Sequence, residues 1–341
     1  MLPSAVRPIA QQVARTVRRS DGTGHMAENG TLTFSDPDGY AAEFSDARVN
    51  LTITGVGDFK ARLTRLKLRD LKLYRCCESL PRIAYISLPP EQMFLSFPVG
   101  AVSLISDGFA LRNDDMVLHG RGERTHQRSN GACQWGLISL SPEQFASCGK
   151  ALTGRAIAPP HASRILRPAR ADVLRFWRLF EQACRLAEAA RRKLIKRPEV
   201  ARALEQELLH AIINCLAANE TDDNPKTRHH HAAVMVRFEE TLRRRIDQKL
   251  NMPALCAELG VPARTLRMCC AEFLGVSPAR YVLLQRLNKA RWALRRADPS
   301  TASVAEVARN HQFLELGRFA VTYRTTFGES SSATLQRDPQ T

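Results

Sequence analysis

The sequence predicts two domains: an N-terminal β-barrel with trailing α-helices, and a C-terminal all-α domain in which one long helix joins two helix-turn-helix units. Three observations carry this reading. The length of 341 residues exceeds the roughly 100 to 200 of a single domain. Hydrophobic periodicity changes from two to between three and four near residue 170. A short pattern also occurs twice between Met252 and Arg337. Leu266, Cys270, Leu274 and Gly275 recur as Phe319, Tyr323, Phe327 and Gly328, each set preceded by a small residue and a turn position, Cys256 with Gly260 and Ala308 with Gln312. Spacings of four and eight place the bulky residues on one helix face, and the glycine that follows ends the helix. Each copy therefore reads as helix, tight turn, helix.

Taken in order, residues 1–40 read as a flexible arm. The first 25 are rich in Arg and nearly free of acid, which suits a disordered polar arm, a transit-type leader or a chain whose start is Met26. Residues 41–219 form the next unit. Val49, Leu51 and Ile53; Leu66 and Leu68; Leu71 and Leu73; Ile83 and Tyr85; Met93, Leu95 and Phe97; and Gly136 to Leu140 alternate with period two. Breaks at Gly55, Pro89-Pro90 and Asp107-Gly108 divide them into short strands of a barrel or sandwich. Leu174, Phe176, Trp177, Phe180, Ala183 and Leu186, then Leu204, Leu208, Ile212 and Leu216, mark two amphipathic helices. The polar stretch 220–231, with Pro225 and three histidines, reads as a linker.

Residues 232–341 are wholly helical in pattern. Helices are expected over 232–249, 253–259 and 263–274. A long one follows from Pro278 to about Arg296, where Ser277 can cap and Pro278 suits the first turn. Leu283, Leu287, Ala290 and Leu294 form its buried stripe, and Arg280, Arg286, Lys289, Arg291, Arg295 and Arg296 occupy its other faces.

These residues resemble the DNA-binding domain of the AraC/XylS family of bacterial transcription regulators. The resemblance runs from about Ala232 to Arg337 and is carried by LCAELGVPARTL, LGVSPARYVLLQRLNKAR and, most specifically, FLELGRFAVTYRTTFGES. Residues 40–218 are similar to the effector-binding half of one branch of that family, a cupin or jelly-roll barrel followed by helices, through GACQWGLISLSPEQF and PEVARALEQELLHAIINCL. The resemblance implies an activator-type regulator that binds promoter DNA, contacts RNA polymerase, dimerises through helices between Ala169 and Ala218, and has room for a small-molecule effector in its barrel. Four positions depart from the family text. Pro262 stands where a capping Ser is expected, Cys270 where a core Phe is, Gln312 where the turn Gly is, and Ser331 where the Pro of the closing turn is. A missing cap costs about 1 kcal/mol, so a less stable domain of the same fold is expected.

A helix enters the major groove with its exposed N-terminal residues toward the base edges. In the first unit this leaves Arg264, Thr265, Arg267 and Met268 to face DNA, with Arg267 suited to a bidentate contact with guanine. In the second it leaves Leu316, Gly317, Arg318, Ala320, Val321 and Arg324. There Ala320 and Val321 can touch thymine methyls while the arginines hold phosphates. The competing account of each arginine is a solvated surface charge. A basic helix packed on a partner protein is the alternative for the second unit as a whole.

Charge agrees with a nucleic-acid partner. The chain carries net +16, and residues 231–341 hold 17 Lys plus Arg against 10 Asp plus Glu, a denser excess than elsewhere. Nine cysteines, including Cys76-Cys77 and Cys269-Cys270, show no metal-ligand or disulfide-framework spacing, so a reduced, cytoplasmic, nucleoid-associated protein is expected. No apolar run approaches the roughly 18 residues of a membrane span. His119, Glu123 and His126 in HGRGERTH lack the His-x-His spacing of barrel metal sites and read as a polar loop. No enzyme motif is present, so neither catalysis, metal nor cofactor is expected. A cupin-like sugar- or metal-binding enzyme with a helical appendage is the alternative function, and an architectural DNA-binding protein a third.

Overall fold

The computed structural model describes residues 29–100, 103–154, 156–188, 197–216, 225–245 and 251–337. Its N-terminal half is a stack of two antiparallel sheets. Strands β1 (Gly30–Phe34), β3 (Ala61–Lys67), β4 (Leu71–Glu78), β6 (Met93–Pro98), β9 (Met116–Leu118), β11 (Cys133–Leu140) and β12 (Arg164–Leu166) form a seven-stranded sheet in the order β1-β3-β4-β11-β6-β9-β12. Strands β2 (Arg48–Ile53), β5 (Arg82–Ser87), β7 (Leu104–Ser106), β8 (Phe109–Leu111) and β10 (Arg124–Ser129) form a five-stranded one in the order β2-β5-β10-β7-β8. The expected barrel is thus realised as a two-sheet, jelly-roll-like sandwich whose hydrogen bonding does not close into one cylinder.

Period two sorts the side chains of the larger sheet. Leu63, Tyr74, Cys76, Phe94, Trp135 and Leu137 face the smaller sheet, where they meet Val49, Ile53, Ala84 and Ile86. Leu66, Leu73, Leu95, Phe97, Ile138 and Leu140 face the other way. There they are covered by α2 (Pro142–Thr153), α3 (Arg170–Ala187) and α4 (Pro198–Leu216), with Phe97 edge-on to Phe176, Trp177 and Phe180 at ring separations of 5.0, 5.3 and 5.1 Å. A sheet buried on both faces loses the apolar–polar alternation of a half-exposed one, which is why β6 reads MFLSFP and is buried throughout.

The middle of the space between the sheets is filled by side chains. Glu78 accepts hydrogen bonds from Tyr40 Oη at 2.9 Å, Arg82 Nε at 2.7 Å and Trp135 Nε1 at 2.9 Å. Burial pushes this carboxyl up, but the charge and bonds of Arg82 and the bonds from Trp135 and Tyr40 bring it below its ordinary value. A residual cavity there, between Ser96, His119 and Trp135, measures about 10 Å³, space for one water.

Two sequence expectations are revised. Ordered structure begins inside the stretch read as an arm: Gly30–Phe34 pairs with β3, and Asp36 caps α1 (Pro37–Ala42) by accepting from Gly39 N at 2.8 Å. Residues 1–28, Met26 among them, lie outside the described residues. The linker stretch is helical from Pro225, since α5 spans Pro225–Arg244. Proline fits a helix's first turn as well as it breaks an interior one. His231, expected in a spacer, bonds Glu272 at 2.6 Å from this helix. Residues 217–224 lie outside the described residues.

The C-terminal helices are α5, α6 (Met252–Leu259), α7 (Ala263–Leu274), α8 (Pro278–Arg296), α9 (Val304–Asn310), α10 (Leu316–Phe327) and α11 (Ser331–Leu335). They meet the smaller sheet through α5, α7 and α8. The sheet contributes Ile83 to the core of the first helix-turn-helix unit. His126 of β10 bonds Glu239 of α5 at 3.0 Å, and Tyr281 of α8 donates to the same carboxylate at 2.6 Å.

Candidate nucleic-acid interface

The first unit is α6, a turn at Gly260 and α7. Asn251 caps α6 by accepting from Ala254 N at 3.3 Å, and Gly260 takes φ of 66°, the left-handed region where a Cβ is strained. Leu266, Cys270 and Leu274 are buried against Val234, Met235 and Phe238 of α5. Helix α7 starts after Pro262 with no side-chain cap. Its outer face carries Arg264, Arg267 and Met268 exposed, with Thr265 half-buried beside them.

The second unit repeats this plan in different residues. Ser303 caps α9 through Glu306 N at 3.1 Å, the chain turns at His311 and Gln312, and α10 follows. Phe313, Phe319, Tyr323 and Phe327 pack in sequence, tilted or edge-on, at ring separations of 4.8, 5.4 and 4.8 Å, and Tyr323 Oη donates to Thr334 Oγ1 of α11 at 2.8 Å. Gly317, Arg318, Ala320, Val321 and Arg324 are exposed, while Leu316 is half-buried against the aromatic core. Arg318 lies 4.0 Å from Glu315, both well exposed, a contact of little energetic weight.

Eight of the ten residues expected to face DNA are therefore exposed on the outer sides of the two helices, while Thr265 and Leu316 are half-buried, Leu316 against the aromatic core. Leu314, 81 % exposed just ahead of α10, escaped sequence reasoning. The apolar alternation Leu314–Leu316 marked it, but it precedes the helical stripe.

Helix α8 joins the units, and its basic face is not the solvated surface its sequence suggests. Leu287, Ala290 and Leu294 are buried as expected, while Tyr281 and Leu284 extend the stripe in place of the half-buried Leu283. Arg286 Nε and Nη2 donate to the carbonyl of His311 at 3.1 and 3.0 Å, and Nη2 also to that of Gln312. Arg291 is buried, pairs with Glu329 at 2.7 Å and reaches Gly57 O of the N-terminal domain at 3.3 Å. Asn288 accepts from Ile53 N at 3.1 Å and donates to Ile53 O at 3.0 Å. Of the six basic residues, Arg280, Lys289 and Arg296 are exposed.

The histidines and glutamate of HGRGERTH are divided among structural tasks. His119 bonds Ser96 at 2.8 Å and Ser163 at 3.2 Å, Glu123 accepts from Gly120 N at 2.7 Å, and His126 belongs to β10 at the domain boundary, where a loop had been expected. Burial lowers His119 to about 4, against the pull of Glu123.

Residues 255–337 match the helix-turn-helix domain family. Over 92 residues, 27% of the chain, the sequence is 39% identical to a probable thc operon regulatory protein of Rhodococcus erythropolis, of which the match covers 28%. Over 100 residues, 29% of the chain, it is 32% identical to the XylDLEGF operon transcriptional activator of Pseudomonas putida, of which it covers 30%. The match thus spans under a third of these relatives' length. Among solved structures, the AraC-like transcriptional activator CuxR aligns over 87% of this chain and 99% of its own at 12% identity and a TM-score of 0.39. ToxT from Vibrio cholerae aligns over 85% and 98% at 11% identity and a TM-score of 0.28. Through residues 255–337 the chain carries a helix-turn-helix domain, and over 92 to 100 residues it is similar to operon regulatory proteins.

Proposed function

We propose that the chain is a sequence-specific DNA-binding regulator of transcription at a bacterial promoter, with α7 and α10 in successive major-groove segments. One observation carries this reading: two helices bearing Arg264, Arg267, Arg318 and Arg324 leave those side chains exposed, while a single helix, packed on the first unit through Tyr281 and held to the second by Arg286 and Arg291, joins them. A segment of 19 residues at 1.5 Å per residue is roughly 28 Å long, comparable to one turn of B-DNA at about 34 Å. The exposed residues of the two helices differ, so the site is two unlike boxes about 10 base pairs apart.

Base reading falls to Arg264, Thr265, Arg267 and Met268 of α7. Softer reading of thymine methyls falls to Ala320 and Val321, with Leu316 and Gly317 at the edge and Arg318 and Arg324 on phosphates. Action in the cytoplasm as a homodimer through α3 and α4, and contact with RNA polymerase, complete the proposal. Footprinting the full chain on the DNA upstream of its own and neighbouring genes tests it. Localised, salt-sensitive protection is expected, because Lys and Arg contacts release counterions, and protection spread evenly along the duplex would defeat it.

A further inference from the structure

The outward side of α10 offers a base edge little to hydrogen-bond with. Gly317 and Val321, four residues apart, lie on one line of the helix, with Ala320 beside them, all exposed. Leu314, just ahead of the helix, and Val321 are 81 % and 68 % exposed. Thr322 Oγ1 donates to the carbonyl of Arg318 at 2.7 Å and Thr325 Oγ1 to that of Val321 at 2.9 Å, so neither hydroxyl has a proton left for a base. Glu315, the one acid from Leu314 to Phe327, lies 4.0 Å from Arg318. Arg318 and Arg324 are exposed on the same helix and fit a phosphate backbone.

Gly317 adds a second observation. Nothing lies within 4 Å of where its Cβ would stand, so packing inside the protein does not call for a glycine, and glycine within a helix is less stable than alanine. What the missing side chain permits is close approach of a ligand to the helix backbone, alongside Leu314 and Val321. In the major groove thymine presents an O4 acceptor and a C5-methyl, whereas cytosine presents an N4 donor and no methyl. A surface of methyl and methylene groups is indifferent to O4 against N4 and senses the methyl.

We infer that the second unit reads the C5-methyl of pyrimidines through Leu314 and Val321 beside Gly317, and that it accepts 5-methylcytosine in place of thymine while discriminating against cytosine and uracil. The inference rests on α10 entering the major groove. Affinity for a box of this kind changes with the methylation state of its cytosines, a form of control that base sequence alone does not encode.

The test uses the full chain on the duplex it protects in footprinting, read by fluorescence anisotropy. In one half of the protected site at a time, the thymines are replaced by deoxyuridine, which removes the methyl alone, or by cytosine or 5-methylcytosine with guanine opposite. In the half held by α10, uracil and cytosine should weaken binding about fourfold for each contacted methyl lost, and 5-methylcytosine should match thymine within a factor of about two. Leu314→Ser combined with Val321→Ser, both at exposed positions that leave folding intact, should make the four duplexes equivalent in that half, whereas Arg324→Ala should weaken all four alike. A protected site without thymine, uracil as good as thymine in both halves, a preference above about tenfold between thymine and 5-methylcytosine, which needs a hydrogen-bonding reader, or a methyl response unchanged in the serine variant overturns the inference. Absence of any localised protection defeats the regulator reading and this inference together, so the two failures are told apart by the footprint.

Discussion

The guanidinium of Arg286 donates to the backbone carbonyl of Gln312, a non-glycine residue held at φ of 62°. The same guanidinium lies 4.5 Å from the Phe313 ring centroid. The strained turn of the second unit is thus held from the helix that joins the two units, and a position suited to glycine is occupied by a residue that needs such a hold.

Gln312→Gly removes a left-handed strain of about 1 to 2 kcal/mol and adds roughly 0.5 to 1 kcal/mol of unfolded-state entropy. The net gain is at most about 1.5 kcal/mol, so the melting temperature of the full chain should rise by roughly 1 to 3 °C. Arg286→Met should cost about 2 kcal/mol through lost charge-assisted bonds, and less in the Gln312→Gly background. Additive effects in that double-mutant cycle would uncouple the two residues.

Arg267→Ala should cost about 1 to 3 kcal/mol on the cognate site and relax preference at one base pair, whereas Arg324→Ala should weaken all sequences about equally. Fluorescence anisotropy on specific and random duplexes separates the two. Equal losses on both DNAs for both variants would reverse the assignment.

Inserting five base pairs between the two boxes turns one to the opposite face of the duplex and should abolish bipartite binding, while ten restores the phase but exceeds the reach of α8. Gel-shift titrations on three duplexes read this out. Unchanged affinity with five would leave one unit as the sole binder, and Arg264 and Arg267 make α7 the candidate.

Stability should also report on His119. Its pKa is depressed to about 4 by burial, below the unfolded value of about 6.5, so the native state binds fewer protons and acid destabilises it between those limits. The difference amounts to at most about 3 kcal/mol. Asp107, raised by burial to about 6, acts in the opposite sense, because its folded form gains stability as pH falls. Comparing chemical denaturation of the wild type with His119→Gln from pH 7.5 to 4.5 isolates the histidine. Parallel profiles would show that His119 is not buried neutral.

Much of this was legible in the chain because the signals were periodic and doubled. The repeat located α7 and α10, Pro262 announced a helix without a side-chain cap, and Gln312 announced the positive φ. Strands with runs such as Met93–Phe97 were equally plain. The three-residue strands β7, β8, β9 and β12 were not, since period two needs more than three residues to be read. β10 was missed because its Arg124, His126 and Arg128 look solvated, whereas His126 is turned into the boundary with the C-terminal helices. Charge misled in the same way on α8: a one-dimensional pattern cannot distinguish an arginine in water from one, like Arg291, that bridges Glu329 and the N-terminal domain.

Ile53 lies on β2, which ends the order of the five-stranded sheet. Its outward N–H and C=O are both taken by the side-chain amide of Asn288, which imitates one rung of a missing strand. An open strand edge templates self-association, so residues 29–216 expressed alone would present β2 uncovered and tend to form higher-order assemblies. The joining helix thereby acts as a chaperone for its own neighbour, and Asn288→Leu in the full chain, which cannot mimic an amide, should lower solubility before it alters any other property.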